Sequence, residues 1–133
     1  MSEHENRQVV EQAYVTFKAG DIPTLLQSMS ENVTWQLPEI ENVPFSGKRQ
    51  GRGAVGEFFS TLATLMDVRS FETREFIAQS DKVVVLGDYV WQVKANGQTF
   101  EGDFAHVVTV RNGQIVAFHE YMDSAALAKA FQG

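Results

Sequence analysis

The sequence contains no cysteine. This absence excludes a disulfide framework, a thiol nucleophile and a zinc site built on cysteine. It also fits a reducing compartment, and we expect a cytoplasmic protein. Positive charge is scarce as well, because 11 lysine and arginine residues face 17 aspartate and glutamate residues and leave a formal charge of −6. Nucleic-acid phosphates require a basic surface, so nucleic acid is not an expected partner.

Long hydrophobic runs are also missing. No apolar stretch approaches the about 18 residues that span a membrane, and the polar residues 2–6 do not resemble a signal peptide. We therefore expect no membrane partner. The composition, with 44% hydrophobic and 21% charged residues, is typical of a soluble globular protein, and the length of 133 residues suits one domain over residues 1–133.

Apolar residues at helical spacing predict three helices in the first half of the chain and one at its end. The first helix stops at Ala19-Gly20, Asp21 caps the second, and Asp123 caps the last. Residues 1–6 are expected to be flexible. The apolar stripes of the first and third helices are Val10, Ala13, Tyr14 and Phe17, and Val55, Phe58, Phe59, Leu62, Leu65 and Met66.

Alternating apolar and polar residues predict five strands, separated by turn signals. The first strand stops at Pro38, and residues 38–52 form a loop that could cover the mouth of a pocket. The predicted strands are 33–37, 69–78, 83–94, 99–110 and 114–123.

The dipeptide Asn96-Gly97 is a strong signal for a β-hairpin. A two-residue turn there pairs strand 83–94 with strand 99–110, and the more polar face of the hairpin points outward. The predicted pairs on the inner face are Trp91 with Gly102, Tyr89 with Phe104, and Gly87 with His106.

The last predicted strand places a carboxyl group where a core residue is expected. A carboxylate in an apolar setting needs a partner, a change in its protonation or a ligand to serve. The alternation of residues 114–123 puts on one face Val116, Phe118, Glu120 and Met122.

The turn before this strand decides what lies beside Glu120. A two-residue loop at residues 112–113 would put Glu120 on the face of the sheet opposite to His106. A three-residue loop, residues 111–113, keeps every apolar inner residue inside and pairs Phe104 with Glu120. We predict the three-residue loop, which makes Glu120 the diagonal neighbour of His106.

Four segments carry a family resemblance through their order and spacing, over nearly the whole chain. They are Ala19-Gly20-Asp21-Ile22, Asn32-Val33-Thr34-Trp35, Arg111-Asn112-Gly113-Gln114-Ile115-Val116 and His119-Glu120-Tyr121-Met122-Asp123. The chain resembles the nuclear-transport-factor-2-like superfamily, in its SnoaL-like and ketosteroid-isomerase-like branch. The resemblance implies an α+β fold in which a strongly bent antiparallel sheet wraps around N-terminal helices, as a cone-shaped barrel with one internal pocket. Members of the superfamily include isomerases, polyketide cyclases, dehydratases, epoxide hydrolases and proteins that only bind.

The resemblance to individual enzymes of the superfamily is partial. Glu120 stands where limonene-epoxide-hydrolase-like members place a catalytic aspartate. Gly87 and Tyr89 stand where those members have an essential arginine and a second aspartate, so that hydrolase chemistry is not expected.

The pattern of the ketosteroid isomerases is also incomplete. Leu37 stands where those enzymes have their base. Their buried proton-donating acid falls near His106, and their oxyanion-binding tyrosine falls on Ala13, next to Tyr14. Tyr14 is therefore a possible replacement for that tyrosine.

We predict that His106 and Glu120 form a catalytic pair. A carboxylate fixes the tautomer of an imidazole, so that His106 would act as a base or proton shuttle, and Tyr14 or Tyr89 would donate to developing oxyanion charge. The alternative is a buried hydrogen bond that only satisfies two polar groups of the core. The predicted ligand-binding residues, whose aromatic members could equally be plain core residues, are Tyr14, Trp35, Leu37, Phe59, Tyr89, Trp91, Phe104, Phe118 and Met122.

The predicted function is to bind a small lipophilic molecule, polyketide-, terpenoid- or steroid-like, and to isomerise, cyclise or dehydrate it without a cofactor. The alternative is a non-catalytic ligand-binding or dimerisation module of the same fold. His4, His106 and His119 lack the spacing of a metal site, so no metal is expected. The outer sheet face around His119 and Tyr121 is only mildly polar, and we expect a homodimer through it.

Overall fold

The computed structural model describes residues 2–133; Met1 lies outside the described residues. None of the described helices is long and apolar enough to cross a bilayer. The elements are α1 (Glu3–Lys18), α2 (Ile22–Gln27), β1 (Met29–Gln36), β2 (Lys48–Gln50), α3 (Arg52–Leu65), β3 (Met66–Gln79), β4 (Lys82–Val93), β5 (Thr99–Arg111), β6 (Gln114–Tyr121) and α4 (Ser124–Gln132).

The strands form one curved sheet in the order β2-β1-β6-β5-β4-β3. The predicted α+β class and the bent sheet are confirmed, with two differences. β1 pairs with β6 in parallel, so the sheet is not purely antiparallel. The sheet is also not a closed barrel, because β2 and β3 remain as its two edges.

Side-chain caps fix the starts of α2 and α4, as the sequence predicts. Asp21 Oδ1 accepts from the Thr24 N–H at 3.2 Å, and Asp123 Oδ1 accepts from the Ala126 N–H at 3.0 Å. Residues 3–6 differ from the prediction, because they form the first turn of α1. Ser2 and Glu5 close a capping box there, and the buried Asn6 donates to the Ser80 carbonyl.

The register of β4 and β5 differs from the prediction by two residues. Trp91 pairs with Phe100, Tyr89 with Gly102, Gly87 with Phe104 and Val85 with His106. The reason lies in the turn. Asn96 does not adopt the positive φ of a two-residue hairpin turn, and its side chain instead bonds to Gln98 N–H and to the Ala130 carbonyl of α4. A shift of two residues preserves which side chains face inward.

The predicted three-residue loop between β5 and β6 is wrong. Asn112 and Gly113 form a two-residue turn, with φ of 52° and 77°, in agreement with a type I′ hairpin. A β-bulge then shifts the register by one residue between the pairs Val110–Ile115 and Thr109–Ala117. The turn and the bulge together place Glu120 directly opposite His106 rather than opposite Phe104.

The helices cover the inner face of the sheet. α1 contacts β3, β4, β5 and β6, while α3 contacts β1, β2 and β3. The buried apolar core lies between the helices and the sheet, and it also includes residues of α2, of α4 and of the loop between β1 and β2.

Candidate functional site

A cavity of ≈ 100 Å³ lies in this core. Its lining is almost wholly apolar and includes every predicted site residue except Phe104. The predicted residues that line it are Tyr14, Trp35, Leu37, Phe59, Tyr89, Trp91, His106, Phe118, Glu120 and Met122.

Phe104 lies behind the cavity wall and not on it. Its ring stacks on the imidazole of His106, with centroids 4.2 Å apart, and packs against Tyr89 at 4.9 Å. Gly87, which the predicted register paired with His106, instead lies under the ring of Phe104. The ring of Phe104 therefore occupies the space that a side chain at position 87 would fill.

The structure confirms that His106 and Glu120 lie on the same face of the sheet and contact each other. His106 Nε2 lies 3.0 Å from Glu120 Oε2, and the two residues are only 4% and 9% exposed. They are directly opposed across β5 and β6, which is closer than the diagonal contact that we expected. The same face that holds the apolar core thus holds a buried imidazole–carboxylate pair.

Two tyrosines complete a hydrogen-bonded chain around this pair. The Tyr89 hydroxyl donates to Glu120 Oε2 at 2.8 Å, and the Tyr14 hydroxyl bonds to His106 Nδ1. Burial, followed by the negative charge of Glu120, raises the pKa of the Tyr14 hydroxyl well above its ordinary value. The same causes, with the hydrogen bond to Glu120, raise the pKa of Tyr89. Both phenols therefore remain protonated near neutral pH and act as donors.

These contacts indicate which atoms carry protons in the hydrogen-bonded chain of Tyr14, His106, Glu120 and Tyr89. An ionised Glu120 can only accept, so the N–H of His106 is on Nε2 and points at the carboxylate. Nδ1 is then free to accept from the protonated Tyr14. Both ring nitrogens of His106 are thus occupied by protein groups, whereas Glu120 Oε1 accepts no hydrogen bond from residues 2–133.

Other aromatic side chains line the cavity that were not predicted as site residues. Phe17 was recognised only as part of a helical core stripe, and Phe100 lies on β5 where the two-residue register error hid its position opposite Trp91. Phe71 lies on β3, whose weak alternation gave no indication of which side chains face inward. Its pairing with Tyr89 brings it to the cavity.

Histidine and tyrosine also meet on the outer face of the sheet. His119 and Tyr121 stack with centroids 4.1 Å apart, and the Tyr121 hydroxyl lies 3.1 Å from His119 Nδ1. Tyr121 is 44% exposed. Within residues 2–133, no three histidine, aspartate or glutamate side chains come together in a way that could hold a metal ion.

Solved structures of similar proteins share this architecture. An NTF2-like protein from Burkholderia xenovorans LB400 is 32% identical, with 98% of each chain covered and a TM-score of 0.88. An NTF2-like protein of unknown function from Burkholderia pseudomallei K96243 is 27% identical over all of both chains, with a TM-score of 0.89. TerC, co-crystallised with polyporic acid, is 28% identical over 97% of this chain and 99% of its own, with a TM-score of 0.86.

No curated protein matches the chain. The profile of the SnoaL-like domain, in contrast, matches residues 10–118, which run from the middle of α1 into β6 and include Tyr14, Tyr89 and His106 but not Glu120. With this match and the NTF2-like architecture of its structural relatives, the chain belongs to the SnoaL-like domain family.

Proposed function

We propose that the protein binds a small lipophilic carbonyl compound in its cavity and transfers a proton on it without a cofactor. The observation that carries this proposal is the buried Tyr14–His106–Glu120–Tyr89 chain in the wall of an otherwise apolar cavity. Buried titratable groups that meet in a cavity are concentrated at functional sites. Isomerisation, cyclisation and dehydration all begin with such a proton transfer.

Glu120 is the base in this proposal. Its Oε1 is unpaired among the described residues and the side chain lines the cavity, so a ligand proton can reach it. His106 cannot accept a proton from a ligand while Tyr14 occupies Nδ1 and Glu120 occupies Nε2. The sequence suggested two roles for His106, a base or a proton shuttle. In this proposal Glu120 is the base, while His106 holds the carboxylate in position and can still shuttle protons.

The proposed reaction needs no other reactant, because the proton that leaves the substrate returns to it. Glu120 takes a proton from the carbon next to the carbonyl, and the electron pair moves onto the carbonyl oxygen. Returning the proton at another carbon of a conjugated enolate gives an isomer. Attack of the enolate on a second carbonyl carbon instead closes a ring, and the alkoxide formed there takes the proton back from Glu120. Tyr89 and His106 donate to Oε2 throughout and hold the carboxylate in place.

The size of the cavity narrows the substrate class. Ligand pockets for drug-sized molecules measure about 300–1,000 Å³, and a cavity of about 150 Å³ holds benzene. The cavity here, ≈ 100 Å³, is smaller than the one that holds benzene, so a compound of one ring requires a small movement of the lining. A steroid-, terpenoid- or polyketide-like ligand would need a much larger movement. TerC, which was crystallised with polyporic acid, supports the idea that relatives of this chain take up organic ligands.

A binding module without turnover is the competing proposal. One observation favours it: every polar atom of His106 is satisfied within the protein, as in a purely structural network. The two proposals differ in whether the charge of Glu120 is needed for chemistry or only for stability.

Glu120→Gln separates them, because it retains hydrogen-bonding capacity and removes the charge. The reaction is the exchange of the α-protons of cyclohexanone for deuterium in heavy water, followed by proton NMR. Loss of a positioned base should slow exchange by about 10²–10⁴-fold. The exposed Glu101 on β5 gives a matched control, and Glu101→Gln should change the rate less than about twofold.

Thermal denaturation of the same variants completes the test. A melting temperature near that of the wild type, together with lost exchange, supports catalysis by Glu120. Wild-type exchange no faster than in buffer, with cyclohexanone still bound, favours the binding module. Exchange that survives Glu120→Gln contradicts the assignment of the base.

We also propose that the protein is a homodimer. The outer sheet face has a concavity lined by side chains of β1, β5 and β6 together with Lys82. Tyr121, 44% exposed, is one of them, and a second copy would cover this ring. Light scattering should give about twice the chain mass of 14.9 kDa, and a monomer at micromolar concentration would contradict the proposal.

A further inference from the structure

A second polar group in the cavity wall has no role in the hydrogen-bonded chain. Trp35 is 6% exposed, and its indole Nε1–H has no hydrogen-bond partner within residues 2–133. A buried donor that is left unpaired destabilises a protein, and such groups are few in folded proteins. The indole ring lines the cavity, and a bound molecule that enlarges the cavity at this wall could supply the missing acceptor.

The position of Trp35 relates this donor to Glu120. Trp35 on β1 pairs with Phe118 on β6, and the two rings stack with centroids 3.8 Å apart. Glu120 follows two residues later on the same face of β6, which is about 7 Å along the strand. Trp35 and Glu120 therefore lie close together in the wall of the same cavity.

We propose that the Trp35 indole N–H is the hydrogen-bond donor to the ligand's oxygen, and that the ligand is an uncharged single-ring compound with one exposed oxygen acceptor, such as a cyclic ketone. This inference rests on the proposed function, because it requires that the cavity binds a ligand. In the proton transfer, the same N–H would stabilise the negative charge that develops on the carbonyl oxygen. Trp35 would then be a catalytic residue as well as a part of the apolar wall.

The charge of the lining is the reason for an uncharged ligand. Glu120 is the only acidic residue among the described residues that line the cavity, and neither lysine nor arginine lines it. An anion would face this carboxylate without a cation to pair with it. A cation would lose its hydration for a carboxylate that already accepts from Tyr89 and His106. A neutral molecule avoids both costs.

An alternative partner for the indole N–H is the face of a neighbouring aromatic ring. The ring of Phe59 lies 5.4 Å from that of Trp35 in an edge-on arrangement with an interplanar angle of 65°. An N–H donated to a ring face is a weak interaction, and it would leave Trp35 without influence on the oxygen of a ligand. An experiment must therefore measure the recognition of that oxygen alone.

A pair of ligands with the same shape isolates the oxygen. Cyclohexanone and methylenecyclohexane differ only in whether a ring carbon carries oxygen or a methylene group. Dissociation constants are measured for both with wild type and with Trp35→Phe, and the ketone-to-alkene ratio of the constants is compared. Loss of one hydrogen bond from a buried donor should raise this ratio by about tenfold in the variant. Tyr121→Phe, which removes a donor on the outer face of the sheet, should leave the ratio within about twofold.

The outcomes distinguish this inference from the function on which it rests. If neither molecule binds to the wild type, the cavity is not a pocket for such ligands and both proposals fail. If both bind and Trp35→Phe leaves the ratio unchanged, the pocket stands and the role of Trp35 is refuted.

Proton NMR of the indole groups covers the case in which Trp35→Phe does not fold. The chain has two tryptophans, so Trp91→Phe leaves a single indole N–H signal, that of Trp35. This signal should move downfield when cyclohexanone binds and stay in place, or nearly so, with methylenecyclohexane. Equal shifts with both ligands would refute the hydrogen bond.

Discussion

Two histidine–tyrosine pairs lie on opposite faces of the sheet: Tyr14 of α1 with His106 of β5 on the inner face, and His119 with Tyr121 of β6 on the outer face. On the inner face, His106 Nδ1 bonds to Tyr14, and Nε2 bonds to a buried carboxylate. On the outer face, His119 stacks on Tyr121 with their polar atoms 3.1 Å apart. His119 is cross-strand to Val107, the neighbour of His106, so both pairs occupy nearly the same place along the sheet.

The same residue types therefore have different chemical possibilities on the two faces. The inner pair is cut off from water, and its orientation is fixed by Glu120 and by the ring of Phe104. The outer pair is open to solvent, where water competes for each hydrogen bond and screens each charge. The residue types are the same in the two places, so burial and the carboxylate distinguish a candidate catalytic group from a surface contact.

Activity should show the largest difference between the faces. His106→Gln removes the relay and the fixed orientation of Glu120, and we expect cyclohexanone proton exchange to fall by about 10²–10⁴-fold. The matched variant His119→Gln should stay within about twofold of wild type. The measurement is deuterium incorporation by NMR for both variants. Similar losses at the two sites would mean that the inner pair has no special role.

Stability should next reveal how much the inner pair depends on its supporting ring. A methyl group on Gly87 would overlap the Glu72 carbonyl oxygen and lie 2.5 Å from the ring of Phe104. Gly87→Ala should therefore lower the free energy of unfolding by about 3 kcal/mol, measured by urea denaturation. Gly102→Ala is the control, because no atom lies within 4 Å of the added methyl, and it should change stability by less than about 0.5 kcal/mol. A tolerated Gly87→Ala would contradict the described packing of Phe104.

The smallest of the three effects should be the loss of folding stability at alkaline pH. The pKa of Tyr89 is raised in the folded state, so its contribution to stability is complete below the unfolded pKa of about 10 and is lost as pH rises above it. At pH 11 this tyrosine should cost the folded state about 1.4 kcal/mol. In Tyr89→Phe, urea midpoints should therefore fall less between pH 8 and pH 11 than in wild type. Tyr121→Phe controls for the removal of a tyrosine hydroxyl, and an unchanged pH dependence in Tyr89→Phe would contradict the burial of an un-ionised phenol.

Many of the inner-face residues could be predicted from the alternation of apolar and polar residues. A register error of two residues leaves every side chain on the same face of the sheet. The register of β4 and β5 was wrong by two, yet Tyr89, Trp91 and His106 still face the cavity. The position of Glu120 was predicted through a wrong turn. A two-residue turn alone would have moved it to the outer face, and the bulge restored it.

The hydrogen-bond partners of the pair were harder to predict, because they depend on distances between elements. Tyr14 reaches His106 from α1, 92 positions away in sequence, and no local pattern specifies how that helix crosses the sheet. The pairing of Tyr89 with Glu120 requires the register of three strands to be known to one residue. The unpaired indole of Trp35 is visible only once all its neighbours are in place.

The parallel pairing of β1 with β6 has a consequence for how the chain folds. During synthesis β1 emerges early, but the strand that pairs with it on one side ends at Tyr121. Contacts between such distant parts of a chain form slowly, because a long loop must close first. Until β6 is in place, the side of β1 that will pair with it offers unpaired backbone groups to other chains. Trp35, which stacks on Phe118, is also without its neighbour in that interval, so its fluorescence would report the moment at which the sheet is completed.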